Sequence, residues 1–141
     1  MLRTMIAIAA LAITLPASVA LSAEPAGRTT VQGAYTEAQA TAGAGLYATH
    51  CSMCHGKALE GTYEIPPLKD RFIGNWGHAK LGRLFDYVSR AMPQFAPGSL
   101  SPEDNAAIVA YLLKQNGMPA GAKAMPGDAK ALDAVTIEPA H

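Results

Sequence analysis

Cys51, Cys54 and His55 stand together in the run Cys51-Ser52-Met53-Cys54-His55, and the chain has no other cysteine. Two thiols three positions apart can project from one turn of chain and reach two vinyl groups on one edge of a porphyrin. Each then forms a thioether. The imidazole of the following residue comes to lie under the ring, where Nε2 can bind iron along the axis. C-x-x-C-H is the attachment pattern of c-type haem. By chance it would arise in about one in a thousand chains of this length at ordinary residue usage.

Other uses of the two thiols fit less well. A redox-active Cys-x-x-Cys needs a thioredoxin-like βαβ setting, and none surrounds this one. A zinc site needs a second ligand pair, which His50, His78 and His141 do not supply. A disulfide across so small a loop would gain little entropy. Haem c, one and covalently held, is the expected cofactor.

Iron in a six-coordinate carrier needs a second axial ligand, and a methionine thioether in that place raises the potential. Met53 lies inside the attachment turn and cannot reach the opposite face. Met92 follows a long loop that could pass around the ring edge, and Pro93 stiffens the backbone beside it. Met118 and Met125 come after the last strong helix, and histidine at position 78 would be a potential-lowering alternative. Met92 is the expected distal ligand. Tyr47, Phe72, Trp76, Phe85 and Tyr111 are candidate walls of the haem pocket. Trp76 stands out because a buried indole N–H needs an acceptor, which a haem propionate would provide.

The elements that must position these residues are legible in outline. Thr36 and Gln39 form a capping-box pattern that opens a helix through about His50. Gly43 and Gly45 inside it cost about 1 kcal/mol each relative to alanine, a cost that close approach by another helix or a flat ligand would explain. Residues 56–79 hold no helical or alternating period and read as a long loop wrapped around something. Leu81, Leu84, Phe85 and Val88 recur at helical spacing, so residues 80–91 form an amphipathic helix that stops before Met92-Pro93. Ser101, Pro102, Glu103 and Asp104 open a third helix, and Asn116-Gly117 closes it. A short turn of helix is expected over residues 128–134.

Composition bounds the rest. The chain has 141 residues, half of them hydrophobic, with eleven basic and eleven acidic side chains. One domain is expected at this length. A net charge of zero leaves no field that would favour nucleic acid. Six cations against four carboxylates over residues 57–90 make a mild positive patch at best. One tryptophan and three phenylalanines are few for a core of this size. Something other than side chains is expected to fill the interior.

Residues 1–23 have the layout of a secretory signal: Arg3, an apolar run from Met5 to Leu15, Pro16, then small residues with cleavage after Ala20 or Ala23. The run is shorter than the roughly 20 residues of a membrane span. Export to the periplasm is therefore expected, with membrane association only if the leader is retained. Residues 24–35 read as a flexible leader, 36–120 as the haem-binding domain, and 121–141 as an Ala/Gly/Pro-rich tail, either a docking arm or a spacer.

With these residues in view, the chain resembles a class I c-type cytochrome over roughly residues 36–117. Gly43 and Tyr47 are similar to the glycine and aromatic of the family's first helix, which meet the last helix, with Tyr111 as the matching contact. Pro66-Pro67-Leu68 resembles the loop whose carbonyl accepts from the other nitrogen of the haem-ligating histidine. The run from Met92 through Ser101, with Asn116-Gly117-Met118-Pro119, is similar to a bacterial subgroup linked to periplasmic dehydrogenases and oxidases, in which the first methionine is the sixth ligand.

The resemblance implies an all-α fold of three main helices and long loops around one haem. It implies a one-electron carrier rather than an enzyme, with a redox protein as donor and another as acceptor, such as a periplasmic dehydrogenase and a terminal oxidase or other cytochrome. The alternatives are a cytochrome subunit of such a complex and a five-coordinate haem protein that binds a small molecule.

Overall fold

A computed structural model of the chain describes residues 27–139; the expected signal over 1–23 lies outside them. The described residues are mostly helical. They form α1 (Glu37–His50), α2 (Ser52–His55), α3 (Arg71–Trp76), α4 (Leu81–Ala91), α5 (Pro102–Gln115) and α6 (Ala129–Leu132), with two-residue strands β1 (Arg28–Thr29) and β2 (Val135–Thr136).

Local chemistry accounts for the long helices. The Gln39 N–H donates to Thr36 Oγ1 at 3.3 Å while the Thr36 N–H donates to Gln39 Oε1 at 3.2 Å, so the capping box is formed in both directions. Ser101 Oγ accepts from the Asp104 N–H at 3.1 Å, and Pro102 occupies the first turn of α5, where its missing N–H costs nothing. α4 buries Leu81, Leu84, Phe85 and Val88, the face expected from their spacing. It ends at Met92, which is extended.

α1 and α5 make the main helix contact of the fold. Gly43 is what allows it. A Cβ at position 43 would stand 1.9 Å from the Ala107 carbonyl oxygen of α5. The Tyr47 and Tyr111 rings meet four residues further along, with centroids 5.2 Å apart. Gly45 is different: it is exposed, and nothing lies within 4 Å of the place a Cβ would take. The close-approach reading therefore holds for Gly43 alone. Gly43→Ala is expected to destabilise at the upper end of the about 1–3 kcal/mol typical of overpacking, because the obstructing atom is backbone. Gly45→Ala is expected to stabilise by about 0.5–1 kcal/mol. Thermal melts of the two variants, moving in opposite directions from the parent, check this pair.

Three expectations are corrected. The stretch read as an unbroken loop, 56–79, contains α3, and the i, i+4 pair Phe72 and Trp76 is the signal that could have found it. Residues 27–35 are not a flexible leader: Tyr35 and Thr30 are fully buried, and the Tyr35 hydroxyl donates to the Met118 carbonyl at 2.6 Å. Burial, with the Glu37 carboxylate adding to it, pushes the Tyr35 phenol up to about 12.

The third concerns the C-terminal segment, which is neither arm nor spacer. Met125, Leu132, Val135 and Ile137 lie in the core. The Gln39 amide clasps both backbone groups of Met125, accepting at 2.7 Å and donating at 2.9 Å. β2 pairs in parallel with β1, so the two ends of the described chain close on each other. α6 packs on α4, where Gly82 leaves room for the Ala129 carbonyl and the Asp133 carboxylate.

Candidate haem-binding site

α1 hands the chain directly to the cysteine turn. The Cys51 N–H donates to the Tyr47 carbonyl at 2.9 Å, and α2 then carries Cys54 and His55 on a single turn. The Tyr47 hydroxyl donates to the Gly56 carbonyl at 2.7 Å, tying the far end of that turn back onto α1. Burial is the main reason the Tyr47 phenol is raised far above its ordinary value; the Cys51, Tyr111 and Glu60 groups add to it. Gly56 leaves the turn at a φ of 81°, a left-handed conformation that glycine adopts at no steric cost.

His55 is 9% exposed, and its Nδ1 lies 3.0 Å from the Pro66 carbonyl oxygen. A carbonyl oxygen can only accept, so Nδ1 carries the proton and Nε2 keeps its lone pair. No partner for Nε2 occurs among the described residues. The ring is thus oriented from one side and left with a free donor atom, which is what an axial ligand to iron requires.

Cys51, Cys54, His55 and Met92 line one cavity of about 350 Å³, together with Tyr47, Trp76 and a largely apolar wall that includes Leu68, Phe72, Leu84, Val88, Ile108 and Leu112. That wall is drawn from α1, α3, α4, α5 and the loops between them. The missing interior inferred from the low aromatic count is therefore a real space, and the thiols and imidazole face it from one turn.

The thiols are not arranged for redox exchange. Burial, and then the neighbouring Cys54 thiol, push Cys51 up to about 11, so Cys51 is held protonated at neutral pH, whereas a reactive dithiol depends on a thiolate. Nor do His, Cys, Asp and Glu side chains gather in threes to hold a bare metal ion among the described residues. The donor set fits a haem: two thiols for its vinyl edge, an oriented imidazole, a thioether, and an apolar cavity for the ring.

The structure separates the methionines that the sequence left in competition. Met92 lines the cavity with His55. Met118 and Met125 are buried in the core elsewhere, and Met53 is 79% exposed. His78 is on the surface, its Nδ1 3.3 Å from Glu138 Oε1. Among the candidate walls, Tyr47, Phe72 and Trp76 line the cavity. Phe85 and Tyr111 do not. Phe85 is buried in the core, and Tyr111 stacks on Tyr47.

The Trp76 indole N–H has no partner among the described residues, and its ring stacks at 5.7 Å on Tyr87. Sequence reading missed His50, Tyr87 and Phe95, which also border the cavity. Tyr87 stands three residues after Leu84 on α4, a spacing that could have flagged it.

Comparison with known proteins agrees with this geometry. Residues 38–112 match the family model described as cytochrome C oxidase, cbb3-type, subunit III. The chain is 33% identical over 74 residues to a thiosulfate dehydrogenase of Stutzerimonas stutzeri (strain A1501). That alignment covers 48% of this chain and 24% of the relative, so the chain spans about a quarter of that protein's length. Among solved structures, the sulfane dehydrogenase SoxCD of Paracoccus pantotrophus superposes with a TM-score of 0.51 at 23% identity, over 76% of this chain and 62% of that one. At that identity the likeness is one of fold.

Proposed function

The chain belongs to the family described as cytochrome C oxidase, cbb3-type, subunit III, and is a class I c-type cytochrome; on that premise we propose that it is a periplasmic one-electron carrier with a single covalent haem, ligated by His55 and Met92. The convergence of Cys51, Cys54, His55 and Met92 on one apolar cavity carries this reading.

In the proposed attachment each thiol S–H adds across a vinyl double bond: the S–C bond forms, the hydrogen goes to the other vinyl carbon, and no oxidant is consumed. His55 binds through Nε2 while Pro66 keeps its ring in place. Met92 supplies the sixth donor, and the thioether favours a raised potential. When bound, the haem supplies an Fe(II)/Fe(III) couple. With two protein donors committed to the iron, the chain leaves no open coordination position for a substrate, so it acts as a carrier rather than a catalyst. The apolar wall keeps water from the ring and holds both donors at fixed positions in either oxidation state.

The dehydrogenase names of the similar proteins favour a second arrangement, in which the same carrier works as a subunit of a dehydrogenase complex. In both arrangements the partners are redox proteins, one donating and one accepting. Co-purification with a larger subunit from native membranes or periplasm would select the complex; a lone, soluble species would select the free carrier.

Intact mass of the exported protein is the direct test. The expected value is that of the chain cut after Ala20 or Ala23 plus one haem, and the product should stay red after acidified organic extraction. A colourless chain, or pigment that is removed by extraction, overturns the assignment. Cys51→Ala or Cys54→Ala should leave at most one thioether and shift the reduced pyridine haemochrome spectrum accordingly.

A further inference from the structure

Next to the haem cavity lies a smaller groove of about 230 Å³ that shares Glu64, Pro66, Pro67 and Asn75 with it and is bordered by Arg71. Arg71 and Asn75 are four residues apart on α3, so both side chains rise from one helix face. The guanidinium takes part in none of the three ion pairs among the described residues and in no hydrogen bond there. Nor does the Asn75 amide have a hydrogen-bond partner there. An apolar cavity that opens into a groove with an unmatched cation is complementary to a ligand with a flat apolar body and an anionic end. Guanidinium is also the group whose planar fork suits a carboxylate.

Resting on the haem reading above, we propose that Arg71, assisted by Asn75, receives a propionate carboxylate of the haem. Glu64 borders the same groove and opposes Arg71. The ionisation of that carboxylate is therefore set by a cation and an anion of this chain acting against each other. Arg71 is a positioning and charge-setting residue and does not touch the iron.

The test measures the reduction potential of the haem-loaded protein across pH, beside the haemochrome content and melting temperature of each sample. Ionisation of the carboxylate adds a negative charge that favours the oxidised haem, so the potential falls as pH rises through it. A guanidinium at hydrogen-bond range lowers a carboxyl pKa by about 1–3 units. Arg71→Gln should therefore move the break in the profile up by about 1 unit or more, and Arg71→Lys should restore part of that shift. Glu64→Gln should move the break down.

The other ionisable groups bordering the cavity and groove are His50 at the end of α1 and the Tyr47, Tyr63 and Tyr87 phenols, with Lys69 and Asp70 just before α3. His50→Gln separates the imidazole from the carboxylate. A break that disappears in His50→Gln but stays in place in Arg71→Gln overturns the assignment, as does a profile unchanged by Arg71→Gln in a sample of full haem content. A sample that carries no covalent haem fails at the haemochrome step, which overturns the function reading and this assignment with it.

Discussion

Met92→Ala is expected to lower the reduction potential sharply and to let the reduced protein bind carbon monoxide. The parent should resist that ligand. Both changes have one cause. A thioether stabilises the reduced iron, and axial ligation moves haem potentials over about 0.8 V across proteins, so removing the thioether costs a substantial part of that span. The vacated axial position then admits water or a small ligand. Met92 is the methionine that shares the cavity with His55, whereas Met118 and Met125 are 2–3% exposed in the core away from it. Met118→Leu and Met125→Leu should thus leave the potential within a small margin of the parent. Spectroelectrochemistry of the three variants, with a carbon monoxide titration of each, is the measurement. An unchanged potential and spectrum in Met92→Ala would remove Met92 from the iron. Carbon monoxide binding by the unmodified protein would favour the five-coordinate alternative.

Deletion of residues 121–141 is expected to abolish folding rather than to release a partner. The segment buries Met125, Leu132, Val135 and Ile137, all under 7% exposed. At about 1.5–3 kcal/mol for each fully buried large side chain, their loss amounts to about 6–12 kcal/mol. Total domain stability is about 5–15 kcal/mol. Two backbone hydrogen bonds, His78 N–H to the Ile137 carbonyl at 2.7 Å and Ile137 N–H to the Ala79 carbonyl at 2.9 Å, disappear with them. So does the clasp of Gln39 on Met125, which leaves part of the Gln39 amide without its partners at the start of α1. The truncated chain should fail to accumulate as a folded red protein in periplasmic extracts. A soluble, haem-loaded truncation that melts with the parent would show that the segment is dispensable to the fold and restore the docking-arm reading.

The separation between these two predictions is also the separation between what could and could not be read ahead of the structure. The Met92 argument began from one-dimensional information: a ligand motif, a loop length and a proline. The truncation argument could not, because residues 121–141 have the Ala, Gly and Pro content of a spacer, and nothing in their order reveals that Leu132, Val135 and Ile137 meet α4 and the 76–80 turn. Residues 27–35 misled for the same reason. Their Gly and Thr content suggested mobility, yet Tyr35 finds its acceptor 83 residues away at Met118. Gly43 and Gly45 make the point at the level of a pair. They are two residues apart and identical in type, but one meets the Ala107 carbonyl and the other faces open space.

By itself the sequence determined everything governed by short spacing. The Cys51-Cys54-His55 turn, the Thr36/Gln39 and Ser101 caps, the apolar face of α4 and the stop before Pro93 each depend on groups within about four residues, where backbone geometry leaves few arrangements. The tertiary structure alone decided which distant groups meet: which methionine shares the cavity with His55, which aromatics form its wall rather than the surrounding core, and how both chain ends close over α4. Such contacts are selected by packing and hydrogen-bond satisfaction across the whole domain, and many alternative pairings satisfy the same local pattern until the core is assembled.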